Sequence, residues 1–426
     1  MRILWATPYN VQSAIARYSS IVTRALVARG HAVEILRIED ETVAIEVLDH
    51  DLPVRGPRAL DLARLRRDYD VCVVNYGDHL PFHAGALAIA AATPAVAVLH
   101  DANMENFLLG ARQARPKLGA LLERWPPASL ALPEGRTPAE RAISFFAALA
   151  AGCVVHGPHY VDDVVAACPG PTVQLHLCYP EIGTVPPAPD GSGTFLVVCF
   201  GMINPNKQPE RILRALATDP ALRARGRMRF IGPIEEGYRT HLSAFAAELG
   251  LAAPDFTGWV DDAQLCALVA QAHLLCCLRH PVSEGGSASV ITALYSARPI
   301  VVNNVGSYAE IPDGLVRKID ACEDHEPLAA VMADIAHNPQ AAEAAAARAV
   351  AFARARHSAN TYVDGLTPLL YEAIVGRPGL DAGRSMGHRL AALGVGFDDD
   401  AGAHLESRLV GAGRLIYDPK QGHRRH

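Results

Sequence analysis

The sequence predicts an α/β fold built from two Rossmann-like units, and three observations carry that expectation. Apolar runs of four to six residues alternate with amphipathic segments of ten to sixteen, the pattern of βα units around a parallel sheet. Between Pro180 and Gly193 the alternation gives way to "PEIGTVPPAPDGSG", rich in proline, glycine and small polar residues, and afterwards it restarts. The chain has 426 residues, too many for one ordinary core; two domains of about 150–200 residues each suit it.

In the first half, "RILWAT" reads as a strand that leads to a helix over "IARYSSIVTRALVARG", ending at Gly30, and then to a strand over "AVEILRI". Next come a strand at "VCVVNYG", a helix from about Ala84, a strand at "AVAVLHD", a helix from Arg141 to Ala151, and strands at "CVVHG" and "TVQLHL". After the linker the order is "TFLVVCFG", the helix "QPERILRALA", "MRFIGP", a helix through "HLSAFAAELG", then "PDFTGW", "DAQLCALVAQA", "HLLCCLRH" and "IVVNN". From about Gly376 the alternation is lost in a stretch rich in Gly, Arg and Asp, which reads as an appendage or as partly disordered.

Half of the residues are hydrophobic and 20% are charged, so the chain is globular rather than disordered. The net charge of −6 argues against a nucleic-acid partner, whereas an anionic small molecule needs only one local basic pocket. Nine cysteines lie mostly in apolar runs such as "VVCF" and "LLCCL", with no C-x-x-C, and read as buried, reduced thiols. The N-terminus enters a strand without a basic and apolar export segment, and the longest apolar stretches are short for a bilayer. The cytoplasm is the expected location. The basic runs "RLRRDYD" and "ARQARPK" are either solvated helix faces or contacts to a membrane surface or charged acceptor.

Several constellations could carry chemistry. In "CFGMINPNKQPERILRAL" a strand ends at Gly201, and Lys207 stands just before Pro209, a favoured first helical residue. A lysine beside a helix N-terminus suits a diphosphate; the alternative is a solvated loop lysine. "SEGGSASVITALYSA" repeats the strand–loop–helix arrangement. Here Gly285, Gly286, Ser287, Ala288 and Ser289 offer main-chain amides and hydroxyls, and Glu284 a carboxylate for sugar hydroxyls. The competing reading makes Ser287 or Ser289 an N-cap and Glu284 a surface acid favouring the helix dipole. His100 and Asp101 stand at the end of a parallel strand, where open α/β sheets bind ligands; the alternative, and the commoner reading of an isolated residue, is a satisfied structural histidine. Asp78, His79 and His83 follow another strand; the i,i+4 histidines invite a metal reading, but no second ligand set accompanies them, and no metal is expected. The first βα loop, with Asn10 and Ser13, lacks G-x-G-x-x-G and gives no support to a dinucleotide site.

Taken in order, "MRILWATPYN…IARYSSIVTRALVARGHAVEIL", "YGDHLPFHAG…PAVAVLHD", "FGMINPNKQPERILRALA" and "FTGWVDDAQLCALVAQAHLLCCLRHPVSEGGSASVITALYSARPIVVNN" resemble a GT-B glycosyltransferase of the large retaining family 4 type. The resemblance covers about Met1 to Ile374. It implies two facing Rossmann-like domains with a cleft: an acceptor domain over 1–180, a linker over 181–193, a donor domain over 194–365, a closing helix over 366–376 and the appendage over 377–426. It further implies transfer of a sugar from a nucleotide-diphosphate donor to a glycan, lipid-linked or small-molecule acceptor, without a bound metal, as in bacterial-type polysaccharide assembly. Peripheral contact with the inner face of a membrane accompanies a lipid-linked acceptor.

The resemblance also assigns roles. Lys207 matches the family's diphosphate lysine, while Met202 stands where an arginine is common. Glu284 matches the first acid of the acid-x7-acid motif, whereas Thr292 replaces the second, ribose-binding acid. His100 matches the histidine near the donor sugar, making His100, Glu284 and Lys207 the expected catalytic set. Asn10, Ser13, Asp78, His83 and Asp101 fall on the acceptor side. Two other readings stand beside transfer: a GT-B protein that binds a nucleotide sugar or glycan without turnover, and a GT-B sugar-nucleotide epimerase or phosphorylase.

Overall fold

The structure, a computed structural model, describes residues 1–40, 43, 46–56, 61–62, 64–126, 130–183 and 193–392. The chain divides into two compact units. The first comprises Met1–Leu175, Ser283–Gly285 and Tyr362–His426; the second comprises His176–Val282 and Gly286–Thr361. The expected linker over 181–193 lies largely outside the described residues, and the chain passes from one unit to the other at Leu175/His176.

Among the described residues the first unit holds seven parallel strands: β1 (Arg2–Thr7), β2 (Ala32–Arg37), β3 (Val54–Arg55), β4 (Val71–Tyr76), β5 (Ala95–Leu99), β6 (Ala150–Val155) and β7 (Thr172–Gln174). Their order is β3-β2-β1-β4-β5-β6-β7. The central strands "VCVVNY", "AVAVL" and "AAGCVV" are buried at every position, as parallel strands covered on both faces require. The expected helix over Arg141 to Ala151 is instead Pro138–Ala148. It is opened by a Thr137/Glu140 capping box, and Ala150 already pairs with Ala95 of β5, so sheet registration ends the helix early.

The second unit holds β8 (Phe195–Phe200), β9 (Gly226–Ile231), β10 (Asp255–Phe256), β11 (Leu274–Cys277), β12 (Ile300–Asn303) and β13 (Arg317–Ile319), all parallel, in the order β10-β9-β8-β11-β12-β13. Each sheet therefore reverses its winding once, between β1 and β4 in the first unit and between β8 and β11 in the second. Crossovers run to opposite sides from such a point, which leaves a crevice beyond the carboxyl ends of those strands where ligands bind.

The C-terminal helix departs from expectation at both ends. It runs Ala359–Ala392, rather than over 366–376, and includes Pro368 and Pro378. From Tyr362 onward it belongs to the first unit, where Tyr18 Oη donates to Tyr362 Oη at 2.7 Å and Arg29 pairs with Asp364 at 2.6 Å. Residues 377–392 are thus helix and not appendage, held by Arg377 Nη1 to Asp70 O at 3.1 Å and by Arg384 to Ala90 O and Leu149 O at 2.8 and 2.6 Å. Tertiary bonds outweigh the glycines and prolines that make this stretch look irregular in sequence. The remainder of the expected appendage, 393–426, lies outside the described residues. Among the described residues no helix is long and apolar enough to cross a membrane.

Candidate active site

In the second unit the site begins where β8 ends. Gly201 has φ of +92°, a left-handed conformation open to glycine. A Cβ there would stand 3.0 Å from Ser289 Oγ and 3.2 Å from Lys207 Nζ, so both polar side chains converge on the glycine. Lys207 closes a short 3₁₀ turn, Pro205–Lys207, and only 3% of it is exposed; its ammonium donates to Phe200 O at 2.7 Å. Gln208, in the left-handed region at φ 51°, then turns the chain into the helix Pro209–Thr218, with Pro209 at its start. The loop after β11 is tied to this turn, because His280 N donates to Asn206 O at 2.9 Å. Arg279, at the mouth of the same strand, is fixed through its amide to Asn303 Oδ1 at 2.6 Å.

The helix Ala288–Tyr295 is capped by Ser287, whose Oγ accepts from Val290 N at 3.4 Å. Ser287 is therefore the N-cap, while Ser289 sits in the first turn with its hydroxyl toward Gly201 and Lys207. Thr292 lies deep in the helix, 2% exposed, and Met202 is 59% exposed.

The first unit assembles a second cluster at the ends of β4 and β5. Ser283–Gly285 lies along the chain after β5. Asp101 and Glu284 form an antiparallel bridge, Gly285 N donates to His100 O at 2.8 Å, and Ala102 N donates to Ser283 O at 2.7 Å. Gly285 allows this approach, since a Cβ there would meet Tyr160 Oη at 2.1 Å. Tyr160 cannot yield readily: its hydroxyl donates to Leu99 O and accepts from His156 N, each at 2.8 Å. The expectation that the Gly285 amide serves a phosphate is corrected here, because that amide is committed to His100 O.

Around this bridge burial shifts Asp101, Asp78, His83 and His100 toward their neutral forms. Burial pushes the Asp101 carboxyl from 3.8 up to about 8, with Asp78 and Glu284 adding repulsion against the stabilising Asp78 amide. Burial also takes Asp78 up to about 6, although the Phe107 amide and Asn106 bond to it. His83 falls to about 4 through burial, and burial, then His156 and His83, drives His100 well below its usual 6.5. His100 Nε2 lies 3.0 Å from Asn75 Oδ1, and its ring meets Tyr18 edge-on at 4.9 Å.

The comparisons with known proteins bear on these two clusters. Residues 188–351 match the family model described as glycosyl transferases group 1. Over that segment the chain is similar to the glycosyl transferases of group 1. It is a transferase with the GT-B fold, and the matched segment contains Gly201, Lys207, Glu284 and Ser289.

Solved structures extend the likeness of fold to nearly the whole transferase. HepE from Anabaena, in complex with UDP and glucose, is 17% identical with a TM-score of 0.59, covering 87% of this chain and 99% of HepE. Sucrose-phosphate synthase from Thermosynechococcus elongatus is 14% identical with a TM-score of 0.60, covering 92% and 100% of the two chains. WaaG, a glycosyltransferase involved in lipopolysaccharide biosynthesis, is 16% identical with a TM-score of 0.56, covering 87% and 99%. No curated protein matches the sequence.

Of the residues expected in the glycosyltransferase's site, the structure brings Gly201, Lys207 and Ser289 together in one unit, and His100, Asp101, Asp78 and Glu284 in the other. Asn10 and Ser13 shape the turn after β1. Ser13 N-caps the helix Ala14–Ala28, and Asn10 Oδ1 accepts from Gln12 N at 3.0 Å. His79 packs edge-on against Phe82, and His83 Nδ1 faces Asn75 O at 3.0 Å. Among the described residues no group of three or more His, Cys, Asp or Glu is placed to hold a metal ion. Asn75 and Tyr160 escaped the sequence reading. A lone amide at the end of an otherwise apolar strand, "VCVVNY", was the available signal for Asn75; nothing in "HGPHY" marked Tyr160.

Proposed function

We propose that the protein transfers a sugar, with retention of configuration, from a nucleotide-diphosphate sugar to a glycan, lipid-linked or small-molecule acceptor, in bacterial-type polysaccharide or glycoconjugate assembly. The observation that carries this reading is the convergence of the Lys207 ammonium and the Ser289 hydroxyl on Gly201, where a sheet of this winding accepts a ligand. HepE supports it as a protein of the same fold in complex with UDP-glucose. In the proposed reaction the bond between the anomeric carbon and the diphosphate oxygen breaks, and the acceptor oxygen bonds to that carbon on the same face. The acceptor proton passes to the departing diphosphate. Lys207, Ser289 and the N-terminal end of the helix Ala288–Tyr295 stabilise the charge that develops on the leaving group. Glu284 and His100 orient sugar hydroxyls. No metal is required.

Acceptor-dependent release of nucleoside diphosphate from a panel of UDP-, GDP-, ADP- and dTDP-sugars tests the reading, run with and without EDTA. Lys207→Ala lowers kcat/KM about 100-fold or more, in line with the removal of one charge-stabilising donor, and Glu284→Ala lowers it as well. Near-wild-type activity in both variants would refute the site. The anomeric coupling in the product's proton spectrum decides retention. Free nucleotide without a glycosylated product points instead to an epimerase, phosphate-dependent glycan cleavage to a phosphorylase, and binding without turnover to a non-catalytic sugar-nucleotide protein.

A further inference from the structure

Asn75 is fully buried at the end of β4, in a strand whose other residues are apolar apart from the Tyr76 hydroxyl. Its Nδ2 donates to Ala6 O on β1 at 3.0 Å, and its Oδ1 faces His100 Nε2 at 3.0 Å. Turning the amide over would set its oxygen against the Ala6 carbonyl oxygen, two acceptors face to face, so the orientation is fixed. An amide oxygen only accepts. His100 Nε2 must therefore carry a proton, and in a neutral imidazole the other nitrogen, Nδ1, is then a pure acceptor. The main chain of the same residue treats His83 in the opposite sense: Asn75 O faces His83 Nδ1 at 3.0 Å, so His83 carries its proton on Nδ1. The His100 ring is held on other sides by Tyr18, edge-on at 4.9 Å, and by His156, 4.9 Å between centroids.

We infer that Asn75 is a positioning residue that locks His100 in its Nε2–H form, so that Nδ1 serves as a fixed acceptor for a hydroxyl of the transferred sugar. The sugar half of this inference rests on the proposed function; the tautomer half does not. A second consequence is selectivity between ligands that carry the sugar and those that do not. A fixed acceptor rewards a hydroxyl donor and gives nothing to a nucleotide alone.

The test uses the full chain labelled with ¹⁵N-histidine, the His100 signals being assigned by their loss in His100→Ala, together with calorimetric titration of UDP-glucose and UDP as probes. In the wild type the His100 nitrogens report Nε2–H. Asn75→Leu, close in size but without polar atoms, abolishes that preference and weakens UDP-glucose about 3- to 10-fold, the loss expected for one hydrogen bond, while UDP is unchanged. Asn75→Asp, which burial at this position favours in its protonated form, donates its O–H to Ala6 O, keeps a carbonyl oxygen as acceptor on Nε2–H, and recovers both the tautomer and the UDP-glucose affinity. Nδ1–H in the wild type overturns the inference without any variant, and so remains decisive if Asn75→Leu does not fold. An unchanged tautomer in folded Asn75→Leu, or equal weakening of UDP and UDP-glucose, overturns it too. If the wild type binds neither probe nor any other sugar nucleotide of the panel, the proposed function falls and takes the sugar with it, whereas the tautomer result still stands or falls separately.

Discussion

Asp101 shows how a single side chain ties chemistry to stability. Its Oδ2 accepts from Asp78 N at 2.8 Å, its backbone bridges to Glu284, and its folded pKa of about 8 compares with 3.8 for the free side chain. Between pH 6.5 and 8 the unfolded carboxyl is ionised while the folded one still holds its proton, so the folded state binds more protons and stability falls as pH rises. Above about 8 the effect is complete. The buried His83 and His100 oppose this at the lower end of the window: their unfolded rings are still partly protonated near their ordinary 6.5 while the folded rings are neutral, so their contribution rises with pH and fades toward pH 8. The histidine contributions are common to the wild type and Asp101→Asn, so the wild-type thermal midpoint is expected to decline from pH 6.5 to 8 relative to that of Asp101→Asn. Parallel slopes for the two proteins would show that Asp101 is already ionised in the folded state.

At the scale of elements, the turn that carries Lys207 is held by a residue with no part in the chemistry. Arg211, one turn into the helix Pro209–Thr218, is fully buried. Its guanidinium donates to Asp324 O at 2.6 Å, to Asp320 O at 3.2 Å and to Gln208 Oε1 at 3.1 Å. Gln208 in turn donates to Cys322 O at 2.8 Å, so the residue that bends the chain after Lys207 is fastened on both sides. Arg211→Met fills the space but leaves buried carbonyls without donors, at about 1–3 kcal/mol for each group left unsatisfied. Chemical denaturation is expected to show a loss of at least that size, with weaker nucleotide binding at temperatures where the variant is still folded. A variant as stable as the wild type would mean that water replaces the guanidinium at no cost.

On the scale of the whole molecule, the same winding occurs twice, and the C-terminal helix returns the chain to the unit in which it began. Arg384 is the clearest token of that return. Burial lowers its pKa, and it caps the carbonyls of Ala90 and Leu149, which stand at the ends of two helical segments beside β5 and β6. Truncation after residue 376, or Arg384→Ala combined with Arg377→Ala, is expected to lower the thermal midpoint; loss of only residues 393–426 serves as the control. An unchanged midpoint in the double variant would return 377–392 to the status of an appendage. Much of this architecture was legible in the chain: the period of apolar runs gave the parallel strands, and Gly201, Lys207 and Pro209 marked a strand–turn–helix by local chemistry alone. The helix end near Ala148 and the extent of Ala359–Ala392 were not legible, because alanine and glycine carry little local preference against sheet registration and distant arginine bonds. The same division holds at the site. The sequence alone determined which residue types stand at the carboxyl ends of the strands, since side-chain period and turn chemistry are local properties. Only the tertiary structure decided that Gly285 gives its amide to His100, that Tyr160 excludes any side chain there, and that Asn75 fixes a histidine proton, because each depends on strands brought together across the sheet.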